Sequence, residues 1–201
     1  MPSLILTLPA DSLPTAAPAC AAVWTDDGTT PQRQTEAPLA LLMLGEGTDT
    51  VLVVPATRLS WHRLELPRGS LGRANDTQRL RAVLHGILEE QLLDDGDALH
   101  LALQPQAQDG APVWVAVCQR DWLKAWLDAL EQADHTISRI VPACHPVLAD
   151  EAAQAWVLGP QDQPVVLVKT TAGVVQIPLD PQVPALLAAS FPDRGRILAE
   201  P

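Results

Sequence analysis

The side chains that could do chemistry fall into a few small groups. Five carboxylates crowd one short stretch, at Glu89, Glu90, Asp94, Asp95 and Asp97. Carboxylates so grouped suit a basic protein surface, because electrostatic complementarity sets specificity and association rate. Cys118, Cys144 and His145 carry metal-ligand atoms. Their spacing fits no structural-zinc pattern, and Cys118 falls inside an apolar run, as an inert core thiol does. No Gly-x-Ser-x-Gly elbow positions a serine nucleophile, and no Walker A pattern cradles a phosphate. The residues therefore point to no catalytic site, no cofactor and no metal.

Charge narrows the partners. The formal net charge is -11 and only 13 Lys and Arg are present. A nucleic-acid binder must neutralise phosphates with such residues, so the balance argues against that class. The same balance disfavours docking on an anionic membrane surface. The apolar run Pro38 to Leu44 falls far short of the ~18 residues of a membrane span. The start, Met1-Pro2-Ser3-Leu4, lacks a basic region ahead of its apolar stretch, so no signal peptide is read. Three cysteines with no spaced pair read as reduced thiols of the cytoplasm.

The elements that must position these groups are short. Nineteen Pro and eleven Gly predict many elements cut by turns. Strands are expected at 3–8, 21–24, 50–54, 59–66, 98–103, 112–119, 137–141, 156–158, 165–169 and 174–177. Residues 25–35 read as a polar stretch, and 39–44 as an apolar run that is helix or strand. In 112–119, Val113, Val115 and Val117 alternate with Trp114, Ala116 and Cys118, as a sheet buried on both faces requires. The clearest helix spans 76–93, capped by Asn75 or Asp76. Leu80, Val83, Leu84, Ile87, Leu88 and Leu92 share one side of it. A second helix spans 122–134 with Asp121 as its cap, and a third covers 183–190. No internal repeat is visible.

Two of these helices carry candidate partner-binding residues. Glu89, Glu90, Asp94, Asp95 and Asp97 lie at the end of the 76–93 helix, where the dipole disfavours anions by about 0.3–1 kcal/mol each. Local stability does not choose that layout. A partner-facing acidic edge accounts for it, and so do basic neighbours or plain solvation. Trp122 and Trp126 stand one turn apart beside Leu123, Leu127 and Leu130. Such a wide apolar face usually belongs to a core; an exposed Trp on it would be an interface anchor.

Three segments together carry a family resemblance. The first is Val54-Pro55 followed by Leu59-Ser60-Trp61-His62 and Leu64-Glu65-Leu66-Pro67. The second is Leu88-Glu89-Glu90-Gln91-Leu92-Leu93-Asp94-Asp95 with Leu99-His100-Leu101-Ala102-Leu103. The third is Val113-Trp114-Val115-Ala116-Val117, then Asp121-Trp122-Leu123 and Ile140-Val141-Pro142. Over roughly residues 50 to 145 the chain resembles the cytoplasmic region of the general secretion pathway protein L family of type II secretion. That resemblance implies a mixed α/β, actin-like fold of ribonuclease H-like lobes, akin to pilus-assembly protein M. Residues 1–50 would open the first lobe, 51–141 would form an inserted partner-binding subdomain, and 142–201 would return and start a second lobe. It also implies partners: the secretion ATPase protein E, platform proteins such as protein M, and a second copy in the full-length protein. Family members continue into a transmembrane helix and a periplasmic domain, so the sequence reads as an excised cytoplasmic fragment.

An actin-like fold raises the alternative of an ATPase with degenerate phosphate loops. Such loops are Gly-rich turns after a strand whose N–H groups face the phosphates. The first candidate, Pro9-Ala10-Asp11-Ser12-Leu13-Pro14, has no glycine, and each Pro removes a donor. The second, Lys169-Thr170-Thr171-Ala172-Gly173, lacks an acidic metal ligand, and Gly45-Glu46-Gly47 would set a carboxylate against phosphate. The expectation is a non-catalytic adaptor.

Overall fold

Leu4 and Leu6 alternate with Ser3, Ile5 and Thr7, and that period of two makes the first strand, β1 (Ser3–Thr7), of the computed structural model. The structure describes residues 2–10, 12–43, 47–71, 77–147, 153–158, 164–183 and, as backbone, 196–199. Around β1 a five-stranded sheet assembles. β2 (Ala19–Thr25) runs antiparallel beside it with Ile5 opposite Val23, and β3 (Arg33–Pro38) extends that side, again antiparallel. On the other side β4 (Asp49–Val54) runs parallel, Ile5 opposite Val51, and β8 (Arg139–Pro142) runs parallel to β4. The order β3-β2-β1-β4-β8 is that of a ribonuclease H-like lobe, as the resemblance implies.

Between β4 and β8 the chain leaves this sheet and builds another. β5 (Ser60–Glu65), α1 (Thr77–Leu88), β6 (Leu99–Leu103) and β7 (Pro112–Gln119) follow in turn. β5 and β6 both pair antiparallel with β7, so the sheet order is β5-β7-β6 and α1 bridges two parallel strands, a split β-α-β unit. Leu84 and Leu88 of α1 bury against Leu64, Val113, Val115 and Val117. α2 (Arg120–Gln132) then returns to the first sheet, where Trp122, Leu123, Trp126 and Leu130 pack on Leu4, Leu6, Leu52 and Val54. Burying each such side chain stabilises by about 1.5–3 kcal/mol, and that apolar face outweighs any preference of α2 for solvent.

The remaining strands form a third sheet. β9 (Gln154–Leu158), β10 (Val165–Thr170) and β11 (Gly173–Pro178) run antiparallel in sequence, and β12 (Arg196–Ala199) lies parallel to β9. Its order, β11-β10-β9-β12, repeats β3-β2-β1-β4 of the first sheet. The sequence shows no repeat, yet the topology does. Many apolar sequences of similar volume satisfy one core, so the fold outlasts the similarity.

Several elements differ from expectation. β3 sits in what reads as a polar stretch, because as an edge strand it exposes Arg33, Gln34 and Glu36 and needs no apolar alternation. Residues 39–41 form a 3-10 turn, with Leu39 buried and Leu41 and Met43 in solvent. α1 stops at Leu88, whose carbonyl accepts from the amides of Gln91 and Leu92 at 2.8 and 3.0 Å. Glu89 onward is therefore outside the helix, and the mismatch with its dipole shrinks to the first residues of the turn. α2 starts at Arg120, and Asp121 lies in its first turn instead of capping it; Gln119 holds the cap position without a side-chain bond. β7 is buried throughout its valine face, while on the other face Cys118 is buried but Trp114 and Ala116 are only half-buried. The cap candidates Asn75 and Asp76 lie outside the described residues, as does the expected helix beyond Val183.

Candidate partner-binding site

The turn after β1 is where an actin-like fold would present N–H groups to phosphate. Here side chains reach across it toward carbonyl oxygens. The indole N–H groups of Trp122 and Trp126 both donate to the Ser12 carbonyl, each at 3.2 Å. The Arg58 guanidinium donates to the carbonyl of Ala10 and lies 5.2 Å over the Trp122 ring. Three donors thus hold the turn, two from α2 and one from the 3-10 turn Ala56–Arg58. Trp122 and Trp126 are 4% and 1% exposed, so both belong to the core. Neither reaches a surface that a partner could touch.

The second candidate turn falls elsewhere. Lys169 and Thr170 end β10, Gly173 opens β11, and the Thr170 hydroxyl accepts from the Ala172 amide at 3.0 Å. By strand order this hairpin corresponds to the β2–β3 connection of the first sheet, not to the turn after its central strand. The turn after β9 (159–163), and Gly45 and Glu46, lie outside the described residues.

The thiols are inert. Burial, with help from Glu36, pushes Cys20 up to about 12, and burial pushes Cys118 up to about 11. Burial also raises Cys144, partly offset by Lys169. Thiolate is the reactive species, so these groups stay protonated near neutrality. His145 bonds through Nδ1 to the Pro146 carbonyl at 2.8 Å. Among the described residues no three His, Cys, Asp or Glu side chains converge as metal ligands.

The acidic stretch is exposed. Glu89 and Glu90 occupy the turn after α1, and Asp94, Asp95 and Asp97 follow it into solvent. Four of the five, all but Glu90, line an open depression of about 450 Å³ with His85, Gly86, Leu92 and Gly96. A second depression of about 330 Å³ shares Leu92 and Asp94 and adds Leu59, Leu93 and Val117. Leu93 is fully exposed between them. The stretch is tied down locally. Gln119 Nε2 donates to Asp94 at 3.1 Å, and Asp95 accepts from the Asp97 amide at 2.9 Å, capping a 3-10 turn at Gly96–Ala98. Asp97 also meets Arg81 at 3.5 Å, with both side chains well exposed, a pair worth little in water. The structure thus brings the five predicted carboxylates together and separates them from the two tryptophans.

Sequence reasoning missed Leu93 as a surface residue, since helical spacing carried past the true helix end. It also missed an edge-to-face pair, Trp61 and Trp114, with centroids 6.5 Å apart on the outer face of the three-stranded sheet. Alternation in β7, which sets Trp114 opposite in direction to the valines, is the signal that locates it.

Two ribonuclease H-like sheets, with an α/β unit inserted into the first, make up the fold, and the exposed acidic depression sits on the insertion. Residues 13–194 match the family Type II secretion system (T2SS), protein L, and the chain belongs to that family. Type II secretion system protein L of Dickeya chrysanthemi is 35% identical over 91 residues, 45% of this chain and 21% of that protein. Its namesake in Pseudomonas aeruginosa is 50% identical over 54 residues, 27% of this chain and 14% of that protein. Each alignment thus spans about a fifth or less of its relative's length. The solved cytoplasmic domain of EpsL, an inner-membrane component of the type II secretion system of Vibrio cholerae, matches with TM-score 0.65. At 18% identity, covering 100% of this chain and 83% of that one, it shows the shared fold. Among the described residues no helix is long and apolar enough to cross a membrane.

Proposed function

We propose that this chain is a non-catalytic adaptor at the cytoplasmic face of the inner membrane, holding the secretion ATPase, protein E, to the type II secretion platform. The observation that carries the reading is the exposed acidic depression on the inserted unit, lined by Glu89, Asp94, Asp95 and Asp97 with Leu92 beside fully exposed Leu93. Carboxylates around an apolar centre suit a partner that offers basic side chains around an apolar anchor, with charge setting the association rate. Glu90 extends the acidic rim. Trp122 and Trp126 drop out of the surface because they are buried. Protein M and a second copy are further platform partners.

Support against the ATPase alternative comes from the turn after β1, where two indoles and a guanidinium engage carbonyls in place of a phosphate. The test is calorimetric titration with the N-terminal region of the cognate ATPase, paired with an ATP–Mg²⁺ titration. Binding to the protein and silence with ATP supports the adaptor. Saturable ATP binding with silence toward the protein reverses the assignment.

A further inference from the structure

A groove of about 320 Å³ runs beside the C-terminal end of α2. Of the residues that line it only Thr15 and Gln132 are polar; the rest are alanines, two prolines and Leu39. Its walls are fixed within the chain. The Leu39 amide donates to the Pro18 carbonyl at 2.8 Å, and His135 Nε2 donates to the Leu39 carbonyl at 2.9 Å. Leu42 packs into the core, while Leu41 and Met43 on either side of it stand 70% and 80% exposed, directly after the lining residue Ala40. Scattered exposed hydrophobics are ordinary, but two large ones beside an apolar groove mark a contact site.

Most of the lining residues have no backbone donor to give an extended peptide. Pro18 and Pro38 lack an N–H, Ala129 and Gln132 lie inside α2, and the Leu39 and Ala133 amides are spent on carbonyls of the chain. A helix satisfies its own backbone and needs only room for its side chains, which a floor of alanines provides. Charge decides what else such a helix carries. Glu131 and Asp134 are exposed beside Gln132 and Ala133, and Glu36 is exposed two residues before Pro38. The last turn of α2 has no basic residue to offset the negative end of its dipole. Residues 12–18, 34–43 and 128–138 contain no Lys or Arg.

We propose that this groove docks the apolar face of a basic amphipathic helix from a partner protein. An apolar side chain of that helix fills the alanine-lined floor, and its neighbours one turn away cover Leu41 and Met43. Its Lys or Arg side chains meet Glu36, Glu131, Asp134 and the end of α2, where complementary charge sets specificity and association rate. The same carboxylates repel an anionic lipid surface. The groove is separate from the acidic depression. α2 starts at the insertion, where Arg120 donates to the Leu99 carbonyl at 2.9 Å, and ends at the groove ~18 Å further on, at about 1.5 Å per residue. A helix can therefore occupy the groove whether or not the ATPase holds the depression.

Amide chemical shifts of the chain, titrated with a designed helix and no ATPase present, test this. The probe has leucines at i, i+3, i+4 and i+7 and lysines elsewhere; a control helix has glutamates in place of the lysines. The lysine helix should shift amides in 15–17, 39–43 and 129–134, and the glutamate helix should not. Leu41→Gln/Met43→Gln alters two exposed side chains, and Glu36→Gln/Glu131→Gln/Asp134→Asn neutralises three exposed carboxylates, so both variants should fold. Asn also tolerates the φ of 60° at position 134. Each variant should weaken binding at the groove about tenfold, with any shifts in 89–97 unchanged. Shifts confined to 89–97, a glutamate helix that binds as well, or variants that bind like the parent overturn the proposal. So do the same groove shifts raised by phosphatidylglycerol vesicles or by protein concentration alone, which would make the occupant a membrane or a second copy.

Discussion

His85 lies against Gly96 so closely that a Cβ on Gly96 would stand 2.2 Å from the imidazole Nδ1. The contact joins the last turn of α1 to the 3-10 turn before β6, and it forms one wall of the acidic depression. Arg81 Nε donates to the other ring nitrogen at 3.2 Å, which holds the imidazole in place. The depression owes its shape to this missing side chain.

Gly96→Ala should therefore destabilise the protein by about 1–3 kcal/mol, the usual effect of overpacking, because the imidazole must swing away. Adding His85→Ala should recover most of that loss. Urea unfolding of both variants measures it, and a Gly96→Ala protein as stable as the parent would show that the contact does not constrain the fold.

Gly86 is the opposite case. It sits mid-helix in α1, exposed, and an added Cβ meets no heavy atom within 4 Å. Gly86→Ala should raise stability by about 0.5–1 kcal/mol through helix propensity and a less disordered unfolded chain. A melting temperature that rises checks this; one that falls points to a contact at that helix face.

The two indoles that share the Ser12 carbonyl should behave non-additively. Trp122→Phe or Trp126→Phe alone leaves that oxygen one donor, so each should cost about 1 kcal/mol or less. Together they strip both bonds, and the double variant should lose more than the sum. Trp126→Ala, by contrast, opens a core cavity and should cost about 3–5 kcal/mol. A double-mutant cycle read by denaturation tests the coupling, and strict additivity would refute a shared acceptor.

Charge reversal at Glu89, Asp94 and Asp97 should weaken association with the ATPase region about tenfold or more, mostly through a slower on-rate. The parent interaction should itself weaken with added salt, as exposed charges are screened over about 10 Å at 0.1 M. Stopped-flow association at two ionic strengths reads both. Unchanged rates would move the interface off this edge while leaving the rest of the protein's role open.

Cys20 and Cys118 ionise at about 12 and about 11 in the folded chain, against 9.0 for an ordinary thiol. In the unfolded chain they lose protons first as pH rises past 9. The unfolded state then binds fewer protons than the native one, so stability is intact below pH 9 and falls progressively between 9 and about 12. Native protein should also resist alkylation at pH 8 and react fully once unfolded. Rapid labelling of either thiol in the native state would contradict their burial.

Much of this was legible in the residues. The apolar run of β7 gave its bounds, although it reads as buried on both faces where Trp114 and Ala116 are only half-buried, and the apolar stripe of α1 gave the face that meets the sheet. The five carboxylates and the empty list of catalytic motifs depend only on residue types, which folding does not alter. What the chain alone left undecided depends on distant partners. β3 pairs at an edge, where backbone hydrogen bonds suffice and apolar alternation is not required. α1 ends at Leu88 because its carbonyl is captured by a turn, and no residue type marks that point. The tryptophans of α2 proved to be core because Ser12, more than a hundred positions away in sequence, supplies their acceptor. The Lys169–Gly173 turn could be assigned to a hairpin only once strand order was known. Periodicity and composition report each element's own faces; which face meets which is settled by the packing of elements far apart in the chain.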